Sequence, residues 1–322
     1  MTFRILVLLL ASVGIARADL LVAGFTSNAI YRFDETTGEL IGGGAFISTG
    51  SGASQLAAPH RVFVDASGNL LVANANRDTI LRFNGTTGAF MSTFITAGSG
   101  GLDYPVDMTL GPDGALYVSS QLTDQILRYD ATTGAFLNVF ATVGTGAIND
   151  DGPSGLVFLN NQLFVACRFS RQIYRYDLSG NQVDAGAFAG VFGSSAFGLE
   201  VGPDSKLYAV AGQSVLRYDP AVTGNTATTI VSPGSGGLNN PIGLDFGPDG
   251  SLYVASFNTN SVIKYTSGGS STFVPASGST NGGLVNPNFI TFRAVPEPSV
   301  AAHSLLGSAI LFGQRLRRRI AA

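Results

Sequence analysis

Six short apolar segments along the chain carry the polar side chains best suited to chemistry. Five begin with Pro and one with Ala196, at residues 59–65, 105–111, 153–158, 196–202, 241–247 and 287–292. The candidate ligand-binding side chains stand one, two or four positions after that first residue: His60, Arg61, Asp107, Glu200, Asp245 and Asn288. Three of them, Asp107, Glu200 and Asp245, would suit a hard cation such as calcium if the fold brings them together. The alternative is three isolated carboxylates, solvated or bonded to nearby turns.

The histidine and cysteine counts limit the catalytic chemistry. His60 and His303 are the only histidines, and Cys167 is the only cysteine. The sequence contains no Gly-x-Ser-x-Gly nucleophile elbow between a strand and a helix, no glycine-rich phosphate loop and no Cys/His zinc spacing. A Ser-His-Asp triad centred on His60 stays open, and the alternative is a rim or capping residue of the fold. Cys167 excludes an internal disulfide, and we expect it to be a small buried residue.

Internal repeats determine where these segments lie. Each repeat has a Leu-Tyr-Val-Ala type strand, a polar turn, a strand ending Ile-x-Arg-Tyr/Phe, a tight turn and a third apolar strand, and the repeats start at Leu20, Leu70, Leu116, Leu163, Leu207 and Leu252. A period of roughly 40 to 50 residues with several strands per unit is typical of β-propellers. The helical 3.6-residue periodicity of a solenoid is missing.

One basic residue recurs at the same position of every Ile-x-Arg-Tyr/Phe strand: Arg32, Arg82, Arg128, Arg175, Arg217 and Lys264. These six residues could form a binding ring. We predict instead that each pairs with a carboxylate of a neighbouring turn while its stem covers an aromatic side chain. The following turns, such as Asp34 to Gly38, have an Asp or Asn that bonds its own backbone and a Gly free to take positive φ.

The repeats resemble the NHL-repeat and gluconolactonase-like six-bladed β-propellers over about residues 20 to 293. The resemblance implies an all-β, six-bladed β-propeller of four-stranded blades. The chain opens on a second strand and ends on an inner one, so we expect the C-terminal inner strand to close the ring by joining the N-terminal strands. In the gluconolactonase-like enzymes, carboxylate and amide side chains hold a metal at the channel mouth. Val106, Phe197 and Ile242 are apolar at the corresponding positions, so that metal set is not reproduced.

Composition and charge agree with this fold class and exclude one class of partner. The chain has 42 Gly, 12% charged residues and no Trp, as expected for an all-β protein with many turns. Residues 19 to 295 contain 12 Lys and Arg against 20 Asp and Glu, a formal charge of −8. A body this acidic repels phosphate backbones, so we expect no nucleic-acid partner.

The two ends predict export. Residues 1–18 have an early Arg4, an apolar run and a small-x-small site ending at Ala18, the pattern of a signal peptide, which leaves residues 19–293 as the propeller. Residues 294–322 contain Pro296, Glu297 and Pro298, then an apolar run, then a basic end at Arg315, Arg317, Arg318 and Arg319.

This tail resembles a PEP-CTERM sorting signal. The resemblance implies cutting near the Pro-Glu-Pro signature by a membrane-embedded exosortase, and delivery to the cell surface or exopolysaccharide matrix of a Gram-negative bacterium. The apolar run of about 14 residues is shorter than the ~20 of a transmembrane helix, which favours transient contact with the inner membrane. The alternative is a simple C-terminal anchor or a disordered tail.

Two functions follow from these features. The first is a non-enzymatic surface propeller, without a cofactor, that binds an extracellular polysaccharide or protein through loops on one face. The alternative is a lactonase or lyase with a divalent ion, such as calcium, at the channel mouth.

Overall fold

The computed structural model describes residues 17–49, 56–144, 151–190, 195–221, 226–276 and 280–295. In this part of the chain, six antiparallel sheets are arranged as the blades of a β-propeller, and the inner strands of neighbouring blades contact one another around a complete ring. Residues 1–16 of the predicted leader and residues 296–322 of the predicted sorting segment lie outside the described residues. The predicted six-bladed, all-β fold is confirmed.

The strands are numbered along the chain. Blade 1 begins with Arg17–Gly24 (β1) and Ala29–Asp34 (β2). Blade 2 contains Pro59–Val64 (β3), Leu70–Asn74 (β4), Thr79–Phe83 (β5) and Phe90–Ile95 (β6). Blade 3 contains Pro105–Leu110 (β7), Ala115–Ser120 (β8), Gln125–Asp130 (β9) and Phe136–Thr142 (β10).

The second half repeats the pattern. Blade 4 contains Pro153–Leu159 (β11), Gln162–Cys167 (β12) and Gln172–Tyr176 (β13). Blade 5 contains Ala196–Val201 (β14), Leu207–Ala211 (β15), Ser214–Tyr218 (β16) and Thr228–Val231 (β17). Blade 6 contains Pro241–Phe246 (β18), Leu252–Ser256 (β19), Ser261–Thr266 (β20) and Gly269–Val274 (β21). The last strand is Pro287–Val295 (β22).

Four blades have the four predicted strands, and blades 1 and 4 differ at their outer edge. There the fourth strand is replaced by isolated bridges, such as Ile30 to Ile47 in blade 1 and Ile173 to Ala189 in blade 4. The segments that carry these bridges contain Gly at 42–44 and at 186. Glycine weakens a strand because it costs backbone entropy and has no side chain to pack.

The ring closes through the two ends of the propeller. β22 pairs antiparallel with β1, with Leu20 opposite Phe292 and Val22 opposite Ile290. The C-terminal inner strand therefore completes blade 1, as the order of the repeats predicts. Closure removes the free edges that an open array of blades would expose.

Apolar clusters between neighbouring blades hold the ring together. The middle strands β4, β8, β15 and β19 are buried along their whole length, since a blade covers each face. A strand buried on both faces has a continuous apolar run in place of strict alternation, which explains the Leu-Tyr-Val-Ala pattern. Cys167 is a free thiol buried in one of these clusters, as predicted.

The six recurrent basic residues support the blades. Each pairs with a carboxylate: Arg32 with Asp19, Arg82 with Asp65, Arg128 with Asp113, Arg175 with Asp184, Arg217 with Asp204 and Lys264 with Asp249. Several also lie over an aromatic ring, as Arg32 does at 4.7 Å from the ring centre of Phe46. Each basic residue therefore pairs with a carboxylate as predicted, although in blade 1 the carboxylate, Asp19, belongs to strand β1 and not to a turn.

The tight turns form as expected. In the first of them, the backbone N–H groups of Thr36 and Thr37 both donate to Asp34 Oδ1 at 3.0 Å, and Gly38 has φ +71°. The same side-chain bonds recur at Asn84 and Asp130. No helix within the described ranges is long and apolar enough to cross a membrane.

Candidate functional site

The candidate residues of the sequence analysis divide into two groups along the central channel. Arg61, Asp107, Glu200 and Asp245 lie together as an ion cluster. His60 and Asn288 lie in the wall of an aromatic cavity, here called the His60 cavity. The two groups are built by the same inner strands but have different chemistry.

A β-bulge in every inner strand sets these positions. The register of β7 against β8 shifts by one residue between Pro105 and Met108, and the other five inner strands shift at the equivalent place. A bulge puts two residues opposite one and re-aims their side chains. The bulge falls on the first and second positions after Pro, which hold His60, Arg61, Asp107 and Asn288.

Arg61 is the centre of the ion cluster. Its Nε lies 3.4 Å from Asp107 Oδ1, and its Nη2 reaches across the channel to within 3.8 Å of Glu200 Oε2. Burial alone would lower the pKa of Arg61, but the charges of Asp107, Glu200 and Asp245 outweigh burial and raise it. The three carboxylates that could have converged on a cation therefore surround a guanidinium.

Backbone groups of the next blade hold two of these carboxylates. Asp107 Oδ2 accepts a hydrogen bond from the Leu156 N–H at 2.9 Å, and Asp245 Oδ2 accepts one from the Phe292 N–H at 2.9 Å. Each therefore links its own inner strand to the following one. Thr291 makes a comparable link, since its Oγ1 donates to the Val62 carbonyl at 2.8 Å. These contacts give Asp107 and Asp245 a structural role.

One cation for three carboxylates leaves the cluster rich in negative charge. Burial, and then the nearby charge of Asp245, raise the pKa of Glu200 to about 8 against the opposing effect of Arg61. Burial also raises the pKa of Asp107 and of Asp245, although Arg61 and backbone hydrogen bonds oppose the rise. With a pKa above neutrality, Glu200 holds a proton at pH 7.

The calcium site stays a prediction. In the portion of the chain that the structure describes, no three His, Cys, Asp or Glu side chains are grouped so that they could hold a metal ion. A cation at Asp107, Glu200 and Asp245 would have to displace the Arg61 guanidinium and replace its charge.

His60 and Asn288 pair with each other in the wall of the second site. His60 is 6% exposed and Asn288 is 2% exposed. The Asn288 Nδ2 lies 2.9 Å from His60 Nδ1, so the amide donates and the ring proton is on Nε2. His60 Nε2 and Asn288 Oδ1 have no hydrogen-bond partner among the described residues. A buried polar atom without a partner costs about 1–3 kcal/mol, which a suitable ligand could recover.

His60 is neutral at all physiological pH values. Burial, and then the positive charge of Arg168, lower its pKa to about 3. Aromatic rings surround the imidazole, with ring centres at 5.4 Å for Phe25, 5.6 Å for Tyr104 and 6.2 Å for Phe289. So weak a base is poorly suited to abstract a proton, and its Nε2–H is a hydrogen-bond donor.

The His60 cavity has a volume of about 240 Å³. Besides His60 and Asn288, its described lining consists of aromatic and apolar side chains, two small polar ones and one cation: Phe25, Tyr104, Phe197, Phe257, Ile242, Ser195, Asn240 and Arg168. The guanidinium of Arg168 lies over Phe197, 5.3 Å from its ring centre. None of the ion pairs among the described residues supplies Arg168 with a carboxylate.

Arg168 and the aromatic lining were not predicted from the sequence, although the repeats contain a signal for them. The strand that contains the anchor leucine is the second of its blade, and the first residue after it stands five positions after that leucine. These six residues are Phe25, Ala75, Gln121, Arg168, Gly212 and Phe257. In the structure three of the six line the cavity. The loops between second and third strands therefore contribute to the same end of the channel as the first position of the inner strands.

The sorting residues are only partly within the described chain. Ala18 lies in β1 opposite Ala294, and the neighbouring Asp19 accepts a hydrogen bond from Arg293 Nη2 at 2.7 Å. Pro296, Glu297, Pro298, Arg317, Arg318 and Arg319 lie outside the described residues. The predicted cleavage events therefore stay predictions.

Solved structures similar to this chain share its propeller fold. A nidogen–laminin complex aligns over 86% of this chain and 98% of the other with a TM-score of 0.64 and 19% identity. A protein of unknown function from Bacteroides caccae aligns over 86% and 99% with a TM-score of 0.63 and 13% identity.

An inactive variant of virginiamycin B lyase from Staphylococcus aureus, with quinupristin, aligns over 88% of this chain and 93% of the other, with a TM-score of 0.55 and 14% identity. No family model matches the sequence, and a comparison with curated proteins finds no match. The neighbours therefore include a lyase and a protein seen in complex with another protein, and they share the fold of this chain.

Proposed function

We propose that this protein is an exported bacterial binding module whose His60 cavity holds an acidic sugar residue of an extracellular polysaccharide. The observation that carries the proposal is a cation, Arg168, in an aromatic-lined cavity beside two buried polar atoms that have no hydrogen-bond partner in the described part of the chain. Mostly apolar walls with a few placed polar groups are usual in small-molecule sites. The arrangement favours binding a ligand over transforming it.

The chemistry of the cavity favours a uronic acid. The carboxylate of such a sugar would pair with Arg168 in a charge-assisted, bidentate hydrogen bond. A sugar hydroxyl both donates and accepts, so it can satisfy Asn288 Oδ1 and the Nε2–H of His60. The apolar face of the sugar ring would lie against Phe25 and Phe257.

We expect glucuronic acid to bind more tightly than glucose, and Arg168→Gln to remove that difference. A loss of about tenfold, or about 1.4 kcal/mol, is the scale for one desolvated charged contact. Isothermal titration of both sugars with both proteins measures it. Arg128→Gln is the matched control, because Arg128 is a partly exposed arginine paired with Asp113 on the outer half of blade 3. Equal affinities of the wild type for the two sugars would refute the proposal.

Export is the second half of the proposed function. We infer that the leader is removed before Asp19 and that an exosortase-type enzyme cuts at the Pro-Glu-Pro segment, which places the propeller at the cell surface. Mass spectrometry of the protein released by a Gram-negative host with such an enzyme should show a chain without Arg317, Arg318 and Arg319. Replacing Pro296, Glu297 and Pro298 by alanine should leave the protein with the inner membrane. A released product that retains the arginines would contradict this half.

A metal-dependent lactonase or lyase has weaker support. Asp107 and Asp245 hold neighbouring blades together, and Arg61 supplies the positive charge among the three carboxylates. Such an enzyme would also need a base, and the pKa of about 3 makes His60 a poor one. We therefore place ligand binding first.

A further inference from the structure

A second groove, here called the blade 5/6 groove, opens between the outer halves of blades 5 and 6. Its volume is about 640 Å³, and it shares no described lining residue with the His60 cavity. Ile230 and Ser235 line it from blade 5, and the turn of Asp249 to Ser251 and the segment from Tyr265 to Ser270 line it from blade 6. Two departures from the repeat explain why it exists.

The first departure is a missing aromatic ring. On the outer edge of five blades, phenylalanine stands just before the residue that pairs with the first Ile or Val of the Ile-x-Arg-Tyr/Phe strand: Phe46, Phe94, Phe140, Phe188 and Phe273. In blade 5 the pairing of Val215 with Val231 puts Ile230 at this position, and Ile230 is 40% exposed. Blade 5 therefore has a smaller side chain where the others place a ring.

The loss of that ring leaves an aromatic group incomplete. In blade 3, Tyr117 packs edge-on against both Phe140 and Phe158, with ring centres at 4.9 and 5.0 Å. Tyr253 in blade 6 packs in the same way against Phe273 and Phe292, at 4.9 and 4.8 Å. Tyr208 in blade 5 packs against Phe246 at 4.9 Å, and Ile230 stands where the third ring would be. Tyr208, Ile230 and Phe246 all line the groove.

The second departure is a shortened turn in blade 6. In blades 1 to 4, the tight turn ends on a glycine that lies against the backbone carbonyl of the outer-edge phenylalanine of the preceding blade. A Cβ on this glycine would stand only 2.1–2.5 Å from that carbonyl oxygen. The four glycines are Gly38, Gly88, Gly134 and Gly180. In blade 6 the turn is Thr266-Ser-Gly-Gly269, and a Cβ placed on Gly268 or Gly269 would meet no atom of blade 5 within 4 Å. The close contact that joins the turns of blades 1 to 4 to the preceding blade is therefore missing here.

The groove has the chemistry of a neutral sugar site. Hydroxyl side chains dominate its polar part: Ser235, Ser251, Thr266, Ser267, Ser270 and Tyr265. None of the described lining residues is basic, and the single acid, Asp249, is paired with Lys264 at 2.7 Å. Hydroxyl groups donate and accept hydrogen bonds with equal ease, which matches the hydroxyls of a sugar. The absence of a lining cation disfavours an anionic ligand.

We propose that the blade 5/6 groove binds a neutral oligosaccharide, with one sugar ring over Tyr208, Ile230 and Phe246 in place of the missing phenylalanine. The neighbouring sugars would lie along the hydroxyls of the 266–270 turn. This site is independent of the His60 cavity, so either could bind without the other. Together they would let one polysaccharide chain with acidic and neutral sugars be held at two places.

The test restores the ring that the other blades have. Ile230→Phe should put a ring at the position proposed for the sugar ring and weaken binding of neutral trisaccharides by about tenfold or more. Maltotriose, cellotriose and mannotriose are the probes, with the full-length protein and isothermal titration. The melting temperature should stay the same or rise, because the substitution completes an existing aromatic group. Arg168→Gln should leave this binding unchanged, which separates this inference from the proposed function.

A second variant covers the case in which Ile230→Phe fails to fold. Changing Ser267 and Ser270 to alanine removes two exposed hydroxyls, and surface changes of this kind usually alter stability by less than about 0.5 kcal/mol. We expect the same loss of binding. The inference is overturned if the wild type binds none of the three trisaccharides, or if a folded variant binds them as well as the wild type does.

Discussion

Replacing Arg61 by methionine is expected to destabilise the propeller by about 3–5 kcal/mol at pH 8, the usual cost of removing one partner from a buried ion pair. Arg61 is the guanidinium that faces Asp107, Glu200 and Asp245 in the channel, and its side chain is 16% exposed. Without it, three carboxylates would face one another in a desolvated space. Urea denaturation at pH 8 gives the free energy of unfolding. Arg128→Met is the control, because a partly exposed surface pair contributes only about 0–1 kcal/mol.

The same cluster predicts how stability depends on pH. The folded pKa of Glu200, about 8, exceeds its usual value of 4.5, so the folded state binds more protons than the unfolded state between these values. Stability from this group is therefore present below about pH 4.5 and falls as pH rises towards 8. Glu200→Gln should lessen that fall, and it should partly rescue Arg61→Met at pH 8. An Arg61→Met protein as stable as the control variant would show that the carboxylates do not need the guanidinium.

Deleting residues 286–295 should unfold the propeller at ordinary temperatures. The deletion removes β22, which fills the inner position of blade 1 and buries Phe289 and Ile290 almost completely. Burying one such side chain contributes about 1.5–3 kcal/mol. The deletion also opens the ring and exposes β1 and β3, so the loss should rival the whole ~5–15 kcal/mol stability of a typical domain. Circular dichroism and a thermal melt measure it.

A circular permutant is the matched control for this deletion. In it, residues 286–295 precede Arg17 and are joined to it by a Gly-Pro-Asp-Gly turn like the one at 111–114. The antiparallel pairing of β22 with β1 suits such a turn, since Arg293 lies opposite Asp19. The permutant should melt close to the wild-type temperature. A deletion variant with an unchanged melting temperature would mean that β22 does not close the ring.

Local sequence patterns predicted most of the fold because the same patterns recur in every repeat. The Asp or Asn at the start of the tight turns in blades 1 to 5 and the basic residue of each Ile-x-Arg-Tyr/Phe strand depend on neighbours within one repeat. Six copies made these patterns easy to recognise. The outer edges of blades 1 and 4 were less predictable, because glycine-rich segments have no clear strand periodicity.

The grouping of the candidate residues was not predicted. The sequence offered Asp107, Glu200 and Asp245 as ligands of one cation, and it offered Arg61 as a separate ligand-binding candidate. A long arginine side chain that crosses the channel brings them together, and no spacing along the chain encodes such a crossing. The bulges also re-aim the side chains of His60 and Asn288, because a register shift of one residue turns the following side chains to the other face of the sheet.

Sequence alone was enough for the number of blades, the order of strands, the closure of the ring and the turn chemistry, since all of these arise from short-range patterns repeated along one chain. Only the folded ring shows that Arg61 lies among Asp107, Glu200 and Asp245, that Arg168 stands in an aromatic cavity and that the blade 5/6 groove is open. Those features depend on contacts between residues of different blades, far apart in sequence. Their distances follow from the packing of the ring as a whole.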